Sequence, residues 1–201
     1  MLLKVCGITR QQDLEVLMEL GIDLCGFIFH AGSPRSMLPE AAARFHTGEL
    51  GRVGVFVDQD AAETLRIMRE ARLDFAQLHG RQSLLCAEKI GASRVIRTVW
   101  PEAYDSLETF QETLETLAST CAMFLVDAGS QGGGSGRRCS SSWLRDVRFP
   151  HPWLLAGGLD AEAGLRAIKQ YQPDGLDFNS ALEDRPGCKN EKKLRALKAL
   201  R

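Results

Sequence analysis

The sequence predicts an α/β fold in which residues 1–201 form a single-domain (β/α)8 barrel, also called a TIM barrel. Short apolar runs recur roughly 20 to 30 residues apart, and each precedes a stretch with helical spacing or high charge. Such alternation requires parallel strands joined by right-handed crossovers. Eight units of this kind can close into a barrel of about 200 residues. An open doubly wound sheet of fewer strands is the alternative that the pattern leaves open.

The predicted strands are mostly continuous apolar runs, with few alternating polar residues. Continuous runs are typical of parallel strands that are covered on both faces. In chain order they occupy residues 2–8, 24–29, 52–57, 75–79, 94–100, 123–128, 153–158 and 175–179.

The predicted helices carry apolar residues three or four positions apart, as one buried face requires. In the segment 61–71, Leu65 and Met68, or Ile67 and Ala71, have this spacing. The clearest helical segments are 11–21, 61–71, 106–119, 160–171 and 191–200. The Gly/Ser-rich stretch 129–142 follows a predicted strand, which favours a long active-site loop over a linker.

The composition argues against several classes of partner. The 25 Lys and Arg residues are balanced by 26 Asp and Glu residues, so electrostatics give no reason to expect nucleic acid or a membrane. No two of the six cysteines form a CxxC pair, and the histidines lack metal-ligand spacing. We therefore expect reduced thiols, a cytoplasmic location and no metal.

Two strand ends carry groups that are suited to proton transfer. Cys6 ends the first run and Asp127 ends the sixth. A thiolate can act as a base and a protonated carboxyl as an acid. In an eight-stranded ring these strands lie three steps apart, so the two groups could straddle a substrate. Taken alone, the cysteine could equally be inert core and the aspartate a turn or helix cap.

Other strand ends favour an anionic ligand. Gly157 and Gly158 precede the helical segment 160–171 and offer backbone N–H groups, while Asn179 and Ser180 follow the eighth run. In barrels, the loops after strands seven and eight commonly bind phosphate. Arg35, in the motif SPRS, could form a bidentate pair with a carboxylate or phosphate. Read singly, the glycines could be an ordinary turn and the arginine a solvated surface residue.

Taken in order, these motifs resemble the phosphoribosylanthranilate isomerase family, whose members are (β/α)8 enzymes of tryptophan biosynthesis. The resemblance covers essentially the whole chain. The matching stretches are KVCGITR (4–10), GFIF…SPR (26–35), RVGVFVD (52–58), QLHG (77–80), LVDA…GGSGRR (125–138), LLAGGL (154–159), LDFNSALE (176–183) and PGCKN (186–190).

The resemblance implies an Amadori rearrangement of phosphoribosylanthranilate, without metal or cofactor, by a monomer or homodimer. It implies that Asp127 is the general acid, that Cys6 is the general base and that Arg35 holds the anthranilate carboxylate. It places His79 at the rim without a chemical step. The implied phosphate cradle comprises Gly157, Gly158, Asn179, Ser180 and Ala181, with support from Gly133, Gly134 and Gly136.

The chain departs from the family pattern at two places. After GGSG the family has an aromatic and an acidic residue, whereas this chain has Cys139 followed by three serines. The fifth strand usually carries a lysine, for which Arg97 could substitute in charge. Two other functions therefore stay open: another sugar-phosphate isomerase, whose chemistry generally relies on a carboxylate pair, or a silent phosphate-ligand binder.

Overall fold

Eight parallel strands close into a barrel in the computed structural model, which describes residues 1–127 and 143–201. The strands follow one another around the ring in chain order, so the predicted (β/α)8 barrel is confirmed over the open sheet. The strands are β1 (Leu2–Val5), β2 (Leu24–Ile28), β3 (Gly51–Phe56), β4 (Phe75–Leu78), β5 (Val95–Val99), β6 (Met123–Asp127), β7 (Trp153–Ala156) and β8 (Gly175–Phe178).

Side-chain alternation along the strands separates two apolar regions. One small cluster fills the barrel interior, and a larger one lies between the strands and the helices. The interior cluster comprises Leu24, Val53, Ile96, Leu125, Leu154 and Ala156. The ring closes where β1 pairs with β8, with Lys4 directly opposite Asp177. Both side chains are buried, so the interior is not wholly apolar.

The helices surround the barrel, and most begin at a capping side chain. They are α1 (Gln11–Glu19), α2 (Pro39–Ala43), α3 (Ala61–Glu70), α4 (Leu84–Ile90), α5 (Leu107–Ala118), α6 (Ala161–Tyr171) and α7 (Glu191–Ala196). Asp60, Ser83, Ser106, Asp160 and Asn190 each accept a hydrogen bond from the backbone N–H three residues later. These caps satisfy amides that the first helical turn leaves unpaired.

The chain departs from strict alternation at several places. The short helices α2 and α4 lie where the sequence shows no extended helical spacing. Of residues 143–152, between β6 and β7, only Leu144–Asp146 are helical, and they form a 3₁₀ turn. After β8, a second 3₁₀ turn (Ser180–Leu182) leads into an antiparallel hairpin of β9 (Glu183–Arg185) and β10 (Cys188–Lys189).

The β9–β10 hairpin packs against the loop that follows β1. Thr9 Oγ1 donates to the Gly187 carbonyl, and Arg10 Nη2 donates to the Lys189 carbonyl at 2.7 Å. These bonds hold the hairpin over the carboxyl ends of β1 and β8. Across the described ranges, no helix is long and apolar enough to span a bilayer.

Candidate active site

A cavity of about 310 Å³ opens at the carboxyl ends of the strands. It brings together eight of the residues that the sequence predicted: Cys6, Arg35, His79, Asp127, Gly157, Gly158, Asn179 and Ser180. Ala181 follows in the 3₁₀ turn and does not line the cavity. Gly133, Gly134 and Gly136 lie outside the described residues.

Cys6 forms one wall and is almost fully buried, with 4% of its surface exposed. The neighbouring strand makes room for it, because a Cβ atom on Gly26 would lie 2.8 Å from the Cys6 sulfur. Burial raises the pKa of the Cys6 thiol, since a low-dielectric environment disfavours the thiolate. The Lys4 and Lys189 ammonium groups oppose this effect on the pKa, whereas the Asp177 carboxylate adds to it.

Asp127 forms a second wall, three strands away from Cys6 around the ring. Its Oδ2 lies 3.5 Å from Nε2 of His79. Burial, together with the Lys4 charge, lowers the pKa of His79 to about 4, so the ring is neutral at physiological pH.

The His79 ring is oriented from below by Gln77 and Thr98. Nδ1 of His79 lies 3.2 Å from Gln77 Nε2 and 3.2 Å from Thr98 Oγ1. An amide N–H can only donate, so Nδ1 accepts and the neutral ring carries its proton on Nε2, facing Asp127. The Gln77 Oε1 atom is buried at the cavity, and within residues 1–127 and 143–201 no group donates to it. It can therefore accept a hydrogen bond from a ligand.

Arg35 reaches the cavity already paired with an acidic side chain. Its Nε lies 2.9 Å from Glu183 Oε1 and its Nη2 lies 2.6 Å from Oε2, a bidentate arrangement. Glu183 also accepts from Lys189 Nζ at 2.9 Å. Burial opposes its charge, but these two cations outweigh burial and lower the pKa of the Glu183 carboxyl. Glu183 thus fixes the direction of the Arg35 guanidinium.

Backbone amides gather at the ends of β7 and β8. Gly157 and Gly158 adopt positive φ angles of 112° and 61°, which favour glycine. In the described part of the chain, no acceptor receives the N–H groups of Gly158, Ser180 or Ala181. These amides can bind an anion.

Helix α6 follows this cradle and carries its own cap. Asp160 Oδ1 accepts from Ala163 N at 2.7 Å. The helix therefore carries its own negative cap, which disfavours a second anion at the same position.

Sequence reasoning missed the polar residues that support the cavity, namely Lys4, Gln77, Asp177, Glu183 and Lys189. For Lys4 and Asp177 the signal was present but weak: a charged residue inside an apolar strand run is costly to bury unless it is paired. Arg97 gave the same signal but lies elsewhere. Its guanidinium donates to the Gln82 carbonyl at 2.8 Å and does not line the cavity, so it does not supply a charge there.

The described residues contain no group of three His, Cys, Asp or Glu side chains arranged to hold a metal ion.

Comparison with known proteins identifies the family. The model of the family described as N-(5′-phosphoribosyl)anthranilate isomerase matches residues 3–199. An enzyme of that name from Desulfovibrio desulfuricans is 52% identical over 200 residues, covering 100% of this chain and 95% of the relative.

Solved structures agree with this assignment. The phosphoribosyl anthranilate isomerase of Thermus thermophilus superposes with a TM-score of 0.85 at 35% identity, covering 99% of this chain and 97% of the other. Another isomerase of this name was solved in complex with reduced 1-(o-carboxyphenylamino)-1-deoxyribulose 5-phosphate. It superposes with a TM-score of 0.80 at 28% identity, covering 98% of this chain and 96% of the other. Monomers generated from the dimeric enzyme of Thermotoga maritima superpose with a TM-score of 0.80 at 27% identity, covering 99% of this chain and 98% of the other. The chain therefore belongs to the N-(5′-phosphoribosyl)anthranilate isomerase family and is an isomerase.

Proposed function

We propose that this isomerase catalyses the rearrangement of N-(5′-phosphoribosyl)anthranilate in tryptophan biosynthesis, with Cys6 as general base and Asp127 as general acid. The observation that carries the proposal is that these two groups line one cavity from walls three strands apart. A sugar held between them would present different atoms to each.

The proposed chemistry transfers protons within one substrate and needs no redox partner. Asp127 donates a proton to the ribose ring oxygen, and the C1′–O bond breaks as the amine nitrogen forms a C=N bond to C1′. The resulting iminium acidifies C2′–H. Cys6 takes that proton, the C2′–H electron pair forms a C1′=C2′ bond, and the C=N π pair returns to the nitrogen. The enol then gives the C2′ ketone as C1′ gains a proton.

His79 contacts the proposed acid. Its ring is neutral, and Nε2 lies 3.5 Å from Asp127 Oδ2, so it can orient that carboxyl group. We therefore interpret His79 as a group that positions the acid.

The remaining predicted residues account for the two anionic ends of the substrate. Arg35, held by Glu183 through Nε and Nη2, keeps Nη1 for the anthranilate carboxylate. The amides of Gly158, Ser180 and Ala181 would receive the phosphate at the neighbouring strand ends. Oligomeric state stays a prediction, monomer or homodimer.

The test is an assay of substrate fluorescence loss with Cys6→Ala and Asp127→Asn. Each positioned group contributes about 10²- to 10⁴-fold, so each variant should lose at least about a hundredfold in kcat. Cys25→Ala, on β2 in the outer core, and Asp105→Asn, in an exposed loop, are matched controls that should stay near the parent value.

Calorimetry with reduced 1-(o-carboxyphenylamino)-1-deoxyribulose 5-phosphate separates chemistry from binding. Both site variants should still bind this compound. Full turnover in either variant would remove that residue's role. An inactive parent that binds the compound would instead indicate a silent binder, and an inactive parent that converts another sugar phosphate would indicate a different isomerase.

A further inference from the structure

A fully buried ammonium group lies beneath the cavity. Lys4 has no exposed surface, and its Nζ donates to Asp177 Oδ1 at 2.9 Å. Lys4 lies on β1 and Cys6 follows the end of that strand two residues later, so the alternation of the strand places both side chains on the barrel side. Asp177, which holds the ammonium, lines the same cavity as Cys6, and the Lys4 charge opposes the effect of burial on the pKa of the Cys6 thiol.

Stability alone does not account for this pair. Removing two charges from water costs several kcal/mol for each ion, and apolar replacements of buried pairs are often neutral or stabilising. The interior of the barrel also holds an apolar cluster that includes Ile96 and Leu154, so a leucine or methionine would suit a buried interior position such as that of Lys4. A charge that is retained at such a cost suggests a functional role.

The charged cluster around Cys6 draws on five parts of the chain, and its charges do not cancel. Lys4 on β1, Lys189 on β10 and Arg35 after β2 are cations, whereas Asp177 on β8 and Glu183 on β9 are carboxylates. With Cys6 as a thiol, three positive charges face two negative ones. A Cys6 thiolate makes the cluster neutral.

Of the two lysines, only Lys4 has N–H groups left for the sulfur among the bonds of the described residues, and the remaining Nη1 of Arg35 is assigned to the substrate. Lys189 directs its three N–H groups to the Asn179 carbonyl, Asn179 Oδ1 and Glu183 Oε1, at 3.2, 2.9 and 2.9 Å. Arg35 directs Nε and Nη2 to Glu183. The single carboxylate bond of Lys4 leaves its other N–H groups for Cys6.

We propose that Lys4 is a positioning residue that stabilises the thiolate form of Cys6 from beneath the cavity. The proposal rests on the proposed role of Cys6 as general base. Burial opposes the charge of Lys4, but Asp177 and Cys6 outweigh burial and raise the pKa of the ammonium. Lys4 therefore stays charged while the thiol loses its proton. Burial of Cys6 protects the thiol from solvent, and Lys4 offsets the penalty that this burial imposes on ionisation.

The two members of the ion pair should act on Cys6 in opposite directions. Lys4→Met removes the cation, so the pH at which Cys6 becomes half-ionised should rise. Asp177→Asn removes a carboxylate and leaves the thiolate as the counter-ion of Lys4, so that midpoint should fall. A purely structural ion pair would give no such opposition, because both variants break the same contact.

The experiment is alkylation of the full-length protein by iodoacetamide across a pH series, with the Cys6 peptide resolved by mass spectrometry. At neutral pH, Lys4→Met should slow Cys6 alkylation at least about tenfold, and Asp177→Asn should accelerate it. Scaling each curve to its high-pH plateau removes differences in access. Lys169→Met, the same change on the exposed face of α6, should leave the Cys6 curve unchanged.

Activity gives the second readout. For a general base, kcat/KM rises with pH through the pKa of that base. The ascending limb should therefore move to higher pH in Lys4→Met and to lower pH in Asp177→Asn. Equal Cys6 midpoints in parent and Lys4→Met, or shifts in the same direction in both variants, would overturn the proposal.

Two further variants keep the result interpretable. If Lys4→Met fails to fold because Asp177 is left unpaired, the double variant Lys4→Met/Asp177→Leu replaces both charges with apolar groups. The Lys4 charge affects the pKa of the thiol more than the opposing Asp177 carboxylate does, so the Cys6 midpoint of the double variant should still lie above that of the parent. An unchanged midpoint would count against Lys4. Cys6→Ala separates the two proposals. If Cys6→Ala is active, Cys6 is not the general base, and the alkylation curves of the variants that keep Cys6 still report whether Lys4 acts on the thiol.

Discussion

Gly7 gives the sharpest test of how the cavity is held together. It follows Cys6 and has a φ angle of +72°, a region that side chains rarely adopt. A Cβ atom at this position would lie 2.6 Å from Asn179 Oδ1 and 2.7 Å from Arg35 Cδ. Gly7 therefore lets two binding residues approach the backbone behind the base. Gly7→Ala should displace both.

The size of the effect follows from two separate costs. An alanine in the left-handed region costs about 1–2 kcal/mol, partly offset by about 0.4–1 kcal/mol from the stiffer unfolded chain. In addition, the two contacts must open by about 0.8 and 0.7 Å to reach 3.4 Å, the start of ordinary van der Waals contact. Misplacement of about 1 Å costs on the order of a hundredfold in rate, so kcat/KM should fall about 30- to 100-fold.

Gly21→Ala is the matched control, since Gly21 has a φ angle of +64° and nothing within 4 Å of the added atom. Both variants should lose about 1 kcal/mol of unfolding free energy in urea titrations. Only Gly7→Ala should lose activity in the fluorescence assay, mainly through a higher KM. If Gly7→Ala keeps kcat/KM within threefold of Gly21→Ala, then the positions of Arg35 and Asn179 do not matter as argued here.

Three further predictions test the groups around the cavity. Glu183→Gln weakens the hold on Arg35 and should raise KM about tenfold, whereas Glu162→Gln on the surface of α6 should leave KM unchanged in steady-state kinetics. Arg52→Met removes a buried donor to the Ala42 and Ala71 carbonyls, which lie at 2.6 and 2.9 Å. Urea titration should show a loss of about 3–5 kcal/mol of unfolding free energy, with KM unchanged. The exposed control Arg66→Met should lose little unfolding free energy. His79 has a pKa of about 4 in the folded protein and about 6.5 when unfolded, so it binds fewer protons in the native state. As pH falls from 6.5 to 4, the parent should therefore lose up to about 3 kcal/mol of unfolding free energy relative to His79→Gln. Parallel curves of unfolding free energy against pH for the two proteins would contradict this.

The barrel and the outer ring of the site could be predicted because each depends on local pattern. The eight strands are short runs that are apolar on both faces, and their carboxyl ends are marked by the residue that follows each run. Cys6 and Asp127 were identified in this way without knowledge of any contact. The short helix α4 was missed because its seven residues span under two turns, too few for a clear 3.6-residue period.

The ion pairs that support the cavity could not be predicted, because each joins residues that are distant along the chain. Lys4 and Asp177 are 173 residues apart, and Arg35 and Glu183 are 148 apart. In the sequence LLKVCGI, nothing local indicates a partner for Lys4. The partner, Asp177, lies opposite it only because β1 pairs with β8 when the barrel closes. Arg97 in VIRTVW looks equivalent but points outward, because one position along a strand reverses the face. Strand register, which periodicity does not determine, thus decides which buried cation reaches the thiol.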